Sequence, residues 1–188
     1  MLLRRVRGPA GSDRGEGTTV TKRGDRSSPV EGIPYALWVC STGADPYVTA
    51  IVITWVTQLS FAPQLIGISL ENESDFLGRV LTSGSFTLAL LPREGGKDIA
   101  KRIMKAGPAP SASERTELYR PDPAWAGVPQ GALGAIRCSV HSVTPAGDHT
   151  LIAGLVVGEE RWIDGLPLHL SDTGWRYTKP GAEAPPSR

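Results

Sequence analysis

Short apolar runs rich in Val, Ile, Thr, Tyr and Trp recur along the chain, each bounded by Gly, Pro or Asp, which is the punctuation of a β protein. Seven segments read as strands: IPYALWVCST, YVTAIVITWVTQ, QLIGISLE, SFTLALLP, GAIRCSVHSV, HTLIAGLVVG and LPLHLS. Two stretches change period. In SDFLGRVLTSG, Phe76, Leu77, Val80 and Leu81 fall on one helical stripe, with Ser74 placed to cap its start and Gly84 just past its end. In GGKDIAKRIMKAG, Ile99, Ile103 and Met104 form a second stripe that Gly107-Pro108 stops. Residues 107 to 132, rich in Pro, Ala and Ser, read as a long surface connection. The segment SVTPAGDHTLIAGLVVG reads as a hairpin, because Pro145, Gly147 and Asp148 interrupt two β-rich runs. The expectation is a mainly β fold, a closed or nearly closed antiparallel barrel with two or so inserted α-helices, since closure removes exposed edges.

Residues 1–29 hold almost no apolar side chains, so they are expected to form a disordered N-terminal tail, and 180–188 a second tail at the C-terminus. That leaves 30–179 as the folded domain. Within 188 residues, 20 Lys plus Arg nearly balance 19 Asp plus Glu, so no net field is available to recruit nucleic acid or an anionic membrane. Cys40 and Cys138 have no CxxC or CxxH spacing, so a reducing compartment fits better than a disulfide framework. No signal-like apolar segment and no run of 18 apolar residues occurs. The expected location is the cytoplasm, with no nucleic-acid and no membrane partner.

The common chemical motifs are missing: no P-loop, no GxGxxG after a strand, no GxSxG, no HExxH and no paired-cysteine metal site. His141, His149 and His169 are scattered through strand-like segments and make no zinc site. What stands out is TAIVITWVTQLSFAP at residues 49 to 63, an apolar run carrying more hydroxyls than a core strand needs. On strand context alone, Thr54 and Thr57 are β-branched residues of a polar face.

PYALWVCSTG, TAIVITWVTQLSFAPQLIGISLENES, SGSFTLALLP, AGDHTLIAGLVV and LPLHLSDTGWRY, in that order over about residues 33 to 178, resemble the flavin reductase family, whose fold is the FMN-binding split β-barrel. The resemblance implies a homodimer with FMN, or FAD as the second candidate, in a surface groove near the partner subunit, and NADH or NADPH as co-substrate. It places Thr49, Ala50, Val52, Ile53, Thr54 and Trp55 along the ring and ribityl chain, Ser69 beside them, and the phosphate-side loop at Glu71 to Ser74, hence Asn72 and Ser74. It places His149, in the catalytic role, with Arg176 and Tyr177 on the nicotinamide side. A flavin-dependent oxygenase is the implied recipient of the reduced flavin. An isoalloxazine needs a flat apolar surface and donors and acceptors for its pyrimidine edge, which a strand supplies through alternating faces and free backbone groups.

The chain departs from the family pattern at three places. Ala50 stands where a glycine is expected, Val52 where a threonine is expected, and the phosphate loop reads ENESD where basic residues are common. Glu71, Glu73 and Asp75 repel a phosphate unless they point away. Arg79, one helical turn on, or an arginine of the partner subunit, is then the compensating cation. The activity implied is NAD(P)H-dependent reduction of flavin by hydride transfer. A flavin-binding electron carrier or sensor on the same barrel, or a cofactor-free interaction module, are the alternatives.

Overall fold

The computed structural model describes residues 3–5, 29–44 and 46–177. Among the described residues, nine strands and four α-helices follow in the order β1 (Leu3–Arg5), β2 (Trp38–Thr42), β3 (Thr49–Ile53), β4 (Val56–Phe61), β5 (Gln64–Glu71), α1 (Asp75–Ser83), β6 (Ser85–Leu90), α2 (Gly96–Ala106), α3 (Ala112–Leu118), β7 (Gly134–Ala146), β8 (His149–Arg161), α4 (Leu170–Thr173) and β9 (Trp175–Tyr177). Of the stretch read as an N-terminal tail, Leu3–Arg5 pair antiparallel with β9. The rest of that stretch, and the C-terminal tail, lie outside the described residues.

Seven strands form one sheet in the order β3-β2-β6-β7-β8-β5-β4, antiparallel at every step. Its two edge strands, β3 and β4, are consecutive in the chain with only Thr54 and Trp55 between them. Three peptide steps of about 3.8 Å each limit the distance between those edges to roughly 11 Å. The sheet must therefore curl until its edges meet, and the barrel's seam lies at Thr54–Trp55. The Ser69 N–H, donating to the Trp55 carbonyl at 3.1 Å, ties the seam to β5.

The segment YVTAIVITWVTQ is thus two strands, not one. Local pattern hides the break, because Thr and Trp are both good strand formers. Two further expectations need correction. LPLHLS is not a strand: it makes isolated bridges, Pro92 with Pro167 and Ala36 with His169, and then enters α4. Residues 107 to 132 are not a plain surface connection, since they hold α3 and bury Leu118, Tyr119, Trp125, Val128 and Ala132. The apolar residues spaced among the prolines cover the outside of the sheet. Gly127 shows how closely they do so: at φ 76, a Cβ there would stand 2.6 Å from both the Ser41 and the Val48 side chain.

The sheet has two buried faces. Val39, Ala89 and Ala135 share one register row and pack in a core with Ala100 and Ile103 of α2, Leu118 of α3 and Trp125. Cys40, Leu88 and Ile136 share the next row and face the barrel interior, where Phe76, Leu77 and Val80 of α1 join Ile68, Phe86 and Ile152. On α1, Leu81 is 44% exposed, and on α2, Met104 is 39% exposed, so each stripe is narrower than the sequence suggests. The helix ends match expectation. Ser74 caps α1, accepting from the Phe76 N–H, and Gly84 closes it at φ 67.

Burial pushes the Cys138 thiol up from 9.0 to about 12, and burial together with the neighbouring Cys138 raises Cys40 as well. Both thiols are held neutral in the folded state, and their ordinary values apply once the chain unfolds. Their contribution to stability is therefore complete below pH 9.0 and is lost as pH rises toward about 12. Thermal unfolding midpoints are expected to fall across that window, and to fall less in Cys138→Ala. No helix among the described residues is long and apolar enough to cross a membrane.

Candidate functional site

The seam of the barrel opens into a groove of about 80 Å³. Ile51, Val52 and Ile53 of β3, Thr54 and Trp55 of the seam, and Ser69, Leu70 and Glu71 of β5 line it, together with Ser74 at the start of α1 and His149 at the start of β8. Residues from four elements meet here because the register sets Glu71 directly opposite His149 across β5 and β8.

The β7–β8 hairpin delivers the histidine. Ala146 pairs with His149, leaving Gly147 and Asp148 as a two-residue loop with Gly147 at φ 71, a conformation that suits glycine. Asn72 braces this loop: its side-chain amide donates to the Gly147 carbonyl at 2.9 Å and accepts from the Thr150 hydroxyl at 2.8 Å, and its backbone N–H donates to the Asp148 carbonyl at 3.0 Å. Asn72 therefore shapes the turn beside the groove rather than lining it.

His149 is 7% exposed and lies against Trp55, the ring centroids 4.5 Å apart and tilted by 36°. Its Nδ1 is 2.7 Å from Asp148 Oδ1. A carboxylate accepts, so Nδ1 carries the hydrogen and Nε2 is turned away from Asp148. Trp55 also meets Tyr35, at 6.5 Å between centroids, so the ring at the seam is shared by both contacts.

One residue of the groove wall carries a buried, unsatisfied polar atom. Thr54 is 3% exposed and its Oγ1 has no hydrogen-bond partner in the protein. Leaving such a hydroxyl unpaired costs about 1–3 kcal/mol. A ligand with a flat apolar body and a polar edge fits these walls: the strand backbone and the Trp55 ring meet the body, and the Thr54 hydroxyl meets the edge. An isoalloxazine has that form.

Of the residues expected at the site, Val52, Ile53, Thr54, Trp55, Ser69, Ser74 and His149 come together in the groove. Thr49 and Ala50 do not: both are buried, Ala50 in the core under α2. Arg79 is exposed on α1 and Arg176 exposed on β9, neither of them on the groove wall. Tyr177 is placed by backbone pairing with Leu3, and its side chain lies outside what the structure describes. Ile51, inside the Thr49 to Thr54 stretch, lines the groove as well; Leu70 on its wall and Tyr35 against Trp55 are marked by no local motif, and the contact of Asp148 with His149 had only their adjacency as its signal.

A second hollow, of about 410 Å³, opens near Trp38, Leu90, Ile136 and Glu159, at the far end of β8 from His149. It is larger, but it lacks both a stacked histidine and a buried unpaired hydroxyl, so the seam groove is the better candidate. Among the described residues no group of His, Cys, Asp or Glu is placed to hold a metal ion.

The chain has relatives among known proteins. The flavin reductase like domain family model matches residues 30–169. The reductase component of 4-hydroxyphenylacetate 3-monooxygenase from Thermus thermophilus is 30% identical over 118 residues, which cover 63% of this chain and 71% of that protein. In fold, the chain is similar to BorF, the flavin reductase component of a bacterial two-component tryptophan halogenase, at TM-score 0.67 and 21% identity over 79% of this chain and 92% of that one. It is also similar to the NADH:FAD oxidoreductase SgcE6 of Streptomyces globisporus, at TM-score 0.66 and 20% identity over 81% and 90% of the respective chains.

Proposed function

The chain belongs to the flavin reductase family, and from that membership we propose that it carries hydride from a reduced nicotinamide to a flavin held in the seam groove. The observation that carries this reading is the Trp55–His149 stack set beside the buried, unpaired Thr54 hydroxyl. A flavin bound there supplies the hydride acceptor. The protein's own part is positioning and exclusion of water.

Val52, Ile53 and Trp55 offer the apolar surface for the ring. The Thr54 hydroxyl pairs with a polar atom of its edge, and Ser69 and Ser74 lie along the groove toward α1. Asp148 fixes the tautomer of His149, so that Nε2 is available to position the nicotinamide. Arg176 and Tyr177 of β9 are assigned to that side by the family resemblance. No side chain is needed as acid or base. The nicotinamide is NADH or NADPH, and FMN is the flavin that the resemblance implies. The Thermus relative is a monooxygenase component, which supports delivery of reduced flavin to a flavin-dependent oxygenase.

The Thr54 assignment predicts effects of opposite sign. Thr54→Val removes the unpaired hydroxyl, so the ligand-free protein gains about 1 kcal/mol in urea unfolding. The same change weakens flavin binding about tenfold, read by quenching of flavin fluorescence, as expected for one lost hydrogen bond. Equal flavin affinity in the two proteins would remove Thr54 from the site.

A homodimer is supported by apolar side chains left uncovered on β4 and β8, the two strands that flank β5. Leu59 of β4 is 44% exposed and Val157 of β8 50% exposed, while Phe61 at the end of β4 is 86% exposed. Sedimentation is expected to give twice the chain mass, and Leu59→Glu with Val157→Glu to give the monomer. The free, buried thiols of Cys40 and Cys138 support a cytoplasmic location.

A further inference from the structure

Tyr35 is not part of the groove wall, yet its ring bears on that wall through Trp55. The residue is half-buried and precedes β2 without belonging to a strand. Its backbone is fixed all the same. The Leu170 N–H donates to the Tyr35 carbonyl at 2.8 Å, the Leu37 N–H donates to the Leu168 carbonyl at 2.8 Å, and Ala36 bridges His169 between them. Residues 35–37 and 168–170 therefore form a short antiparallel clasp. From it the Tyr35 ring reaches Trp55 at 6.5 Å between centroids, tilted by 33°, within the range at which aromatic pairs attract.

Trp55 sits where such support matters. It belongs to the two-residue seam between β3 and β4, and the Ser69 N–H anchors its backbone carbonyl at 3.1 Å. That bond does not set the indole, which turns about its own side-chain bonds and is held in one rotamer by what packs against it. Its ring contacts include His149 at 4.5 Å and Tyr35 at 6.5 Å. The imidazole leans on the indole, and the indole leans on Tyr35. The other half of the clasp runs directly into α4 and then β9, the strand that the family resemblance assigns to the nicotinamide side. Tyr35 thus joins that side of the site to the stack at the seam.

We propose that Tyr35 is a positioning residue for hydride transfer: its ring holds the Trp55 indole against His149 and so keeps the imidazole edge aimed at the nicotinamide. The inference rests on the flavin reading above, with His149 serving the nicotinamide, and adds a residue that touches neither the flavin groove nor His149 directly.

The test compares Tyr35→Ala, Tyr35→Leu and Tyr35→Phe in the full-length protein at saturating FMN, with kcat/KM for NADH and NADPH read from nicotinamide absorbance. Tyr35→Ala and Tyr35→Leu are expected to lose about fivefold, the share of one aromatic pair, while Tyr35→Phe keeps the ring and the wild-type value. Tyr35→Leu retains apolar bulk, so the comparison survives if the alanine variant fails to fold. In the His149→Ala background Tyr35→Ala is expected to cost nothing more, because it acts through the imidazole. A second readout needs no flavin. The rate at which diethyl pyrocarbonate modifies His149, which is only 7% exposed, is followed by peptide mass spectrometry. It is expected to rise about fivefold in Tyr35→Ala and Tyr35→Leu, and not in Tyr35→Phe. Unchanged kcat/KM in the alanine and leucine variants, an equal loss in Tyr35→Phe, a loss that adds to that of His149→Ala, or an unchanged modification rate each overturn the inference. A wild-type protein that oxidises neither nicotinamide in the presence of FMN overturns the reductase reading instead, and the modification rates then still decide whether Tyr35 holds the histidine.

Discussion

Replacing His149 with alanine is expected to lower kcat/KM for the reduced nicotinamide about 100-fold, the loss typical of a reacting pair misplaced by an ångström. The imidazole is held by two contacts, the Trp55 ring 4.5 Å away and Asp148 Oδ1 at 2.7 Å from Nδ1, and backbone register sets its strand against Glu71 of β5. Removing it leaves Trp55 in place, so flavin affinity changes by less than the nicotinamide term. Asp148 acts only through the histidine, and Asp148→Ala is expected to show a smaller loss of the same kind. A His149→Ala enzyme with unchanged kcat/KM for NADH and for NADPH would take the histidine out of the reaction, whatever its burial.

The largest expected effect on stability comes from Phe86→Ala, at about 3–5 kcal/mol. Phe86 is 1% exposed in the barrel interior and is among the largest fully buried side chains. Strands cross close behind it, so the cavity cannot easily collapse: a Cβ on Gly154 would stand 2.5 Å from Phe86 Cζ and 2.7 Å from Cys138 Cβ. That contact supplies an internal control. Gly154→Ala alone is expected to cost about 1–3 kcal/mol through overpacking. In the Phe86→Ala background the clash with the ring is gone and only that with Cys138 Cβ remains, so the same change costs less, giving a coupling of about 1 kcal/mol or more in urea unfolding. Additive losses would show that the two positions do not share the space the structure gives them.

Both effects arise from pairings that short-range pattern does not encode, which explains how much the sequence could reveal. The barrel was legible because its strands are punctuated: QLIGISLE became β5 with the expected ends, and Ser74 and Gly84 bound α1 as its capping chemistry requires. The closure was not legible, because Thr54 and Trp55 favour strand locally, while the chain at that point leaves one edge of the sheet and joins the other. Nor was the second core, since the covering residues of 107 to 132 are spread singly among Pro and Gly with no period to read. The family resemblance singled out residues that the fold brings together at the seam, His149 with them. Thr49, Ala50, Asn72 and Arg79 shared the same motifs but follow other directions: strand alternation turns Ala50 into the core, and Asn72 spends its amide on the hairpin loop.

The most direct test of the central claim is rapid anaerobic mixing of the protein and riboflavin or FMN with NADH, and separately with NADPH, while the visible absorption of the flavin is followed. The account predicts that the flavin band bleaches with one nicotinamide or both, faster than in the protein-free control and over many turnovers of added flavin, and that His149→Ala slows it. Flavin that binds in the groove yet stays oxidised with either nicotinamide would contradict hydride transfer and leave an electron carrier or sensor that is reduced by another donor.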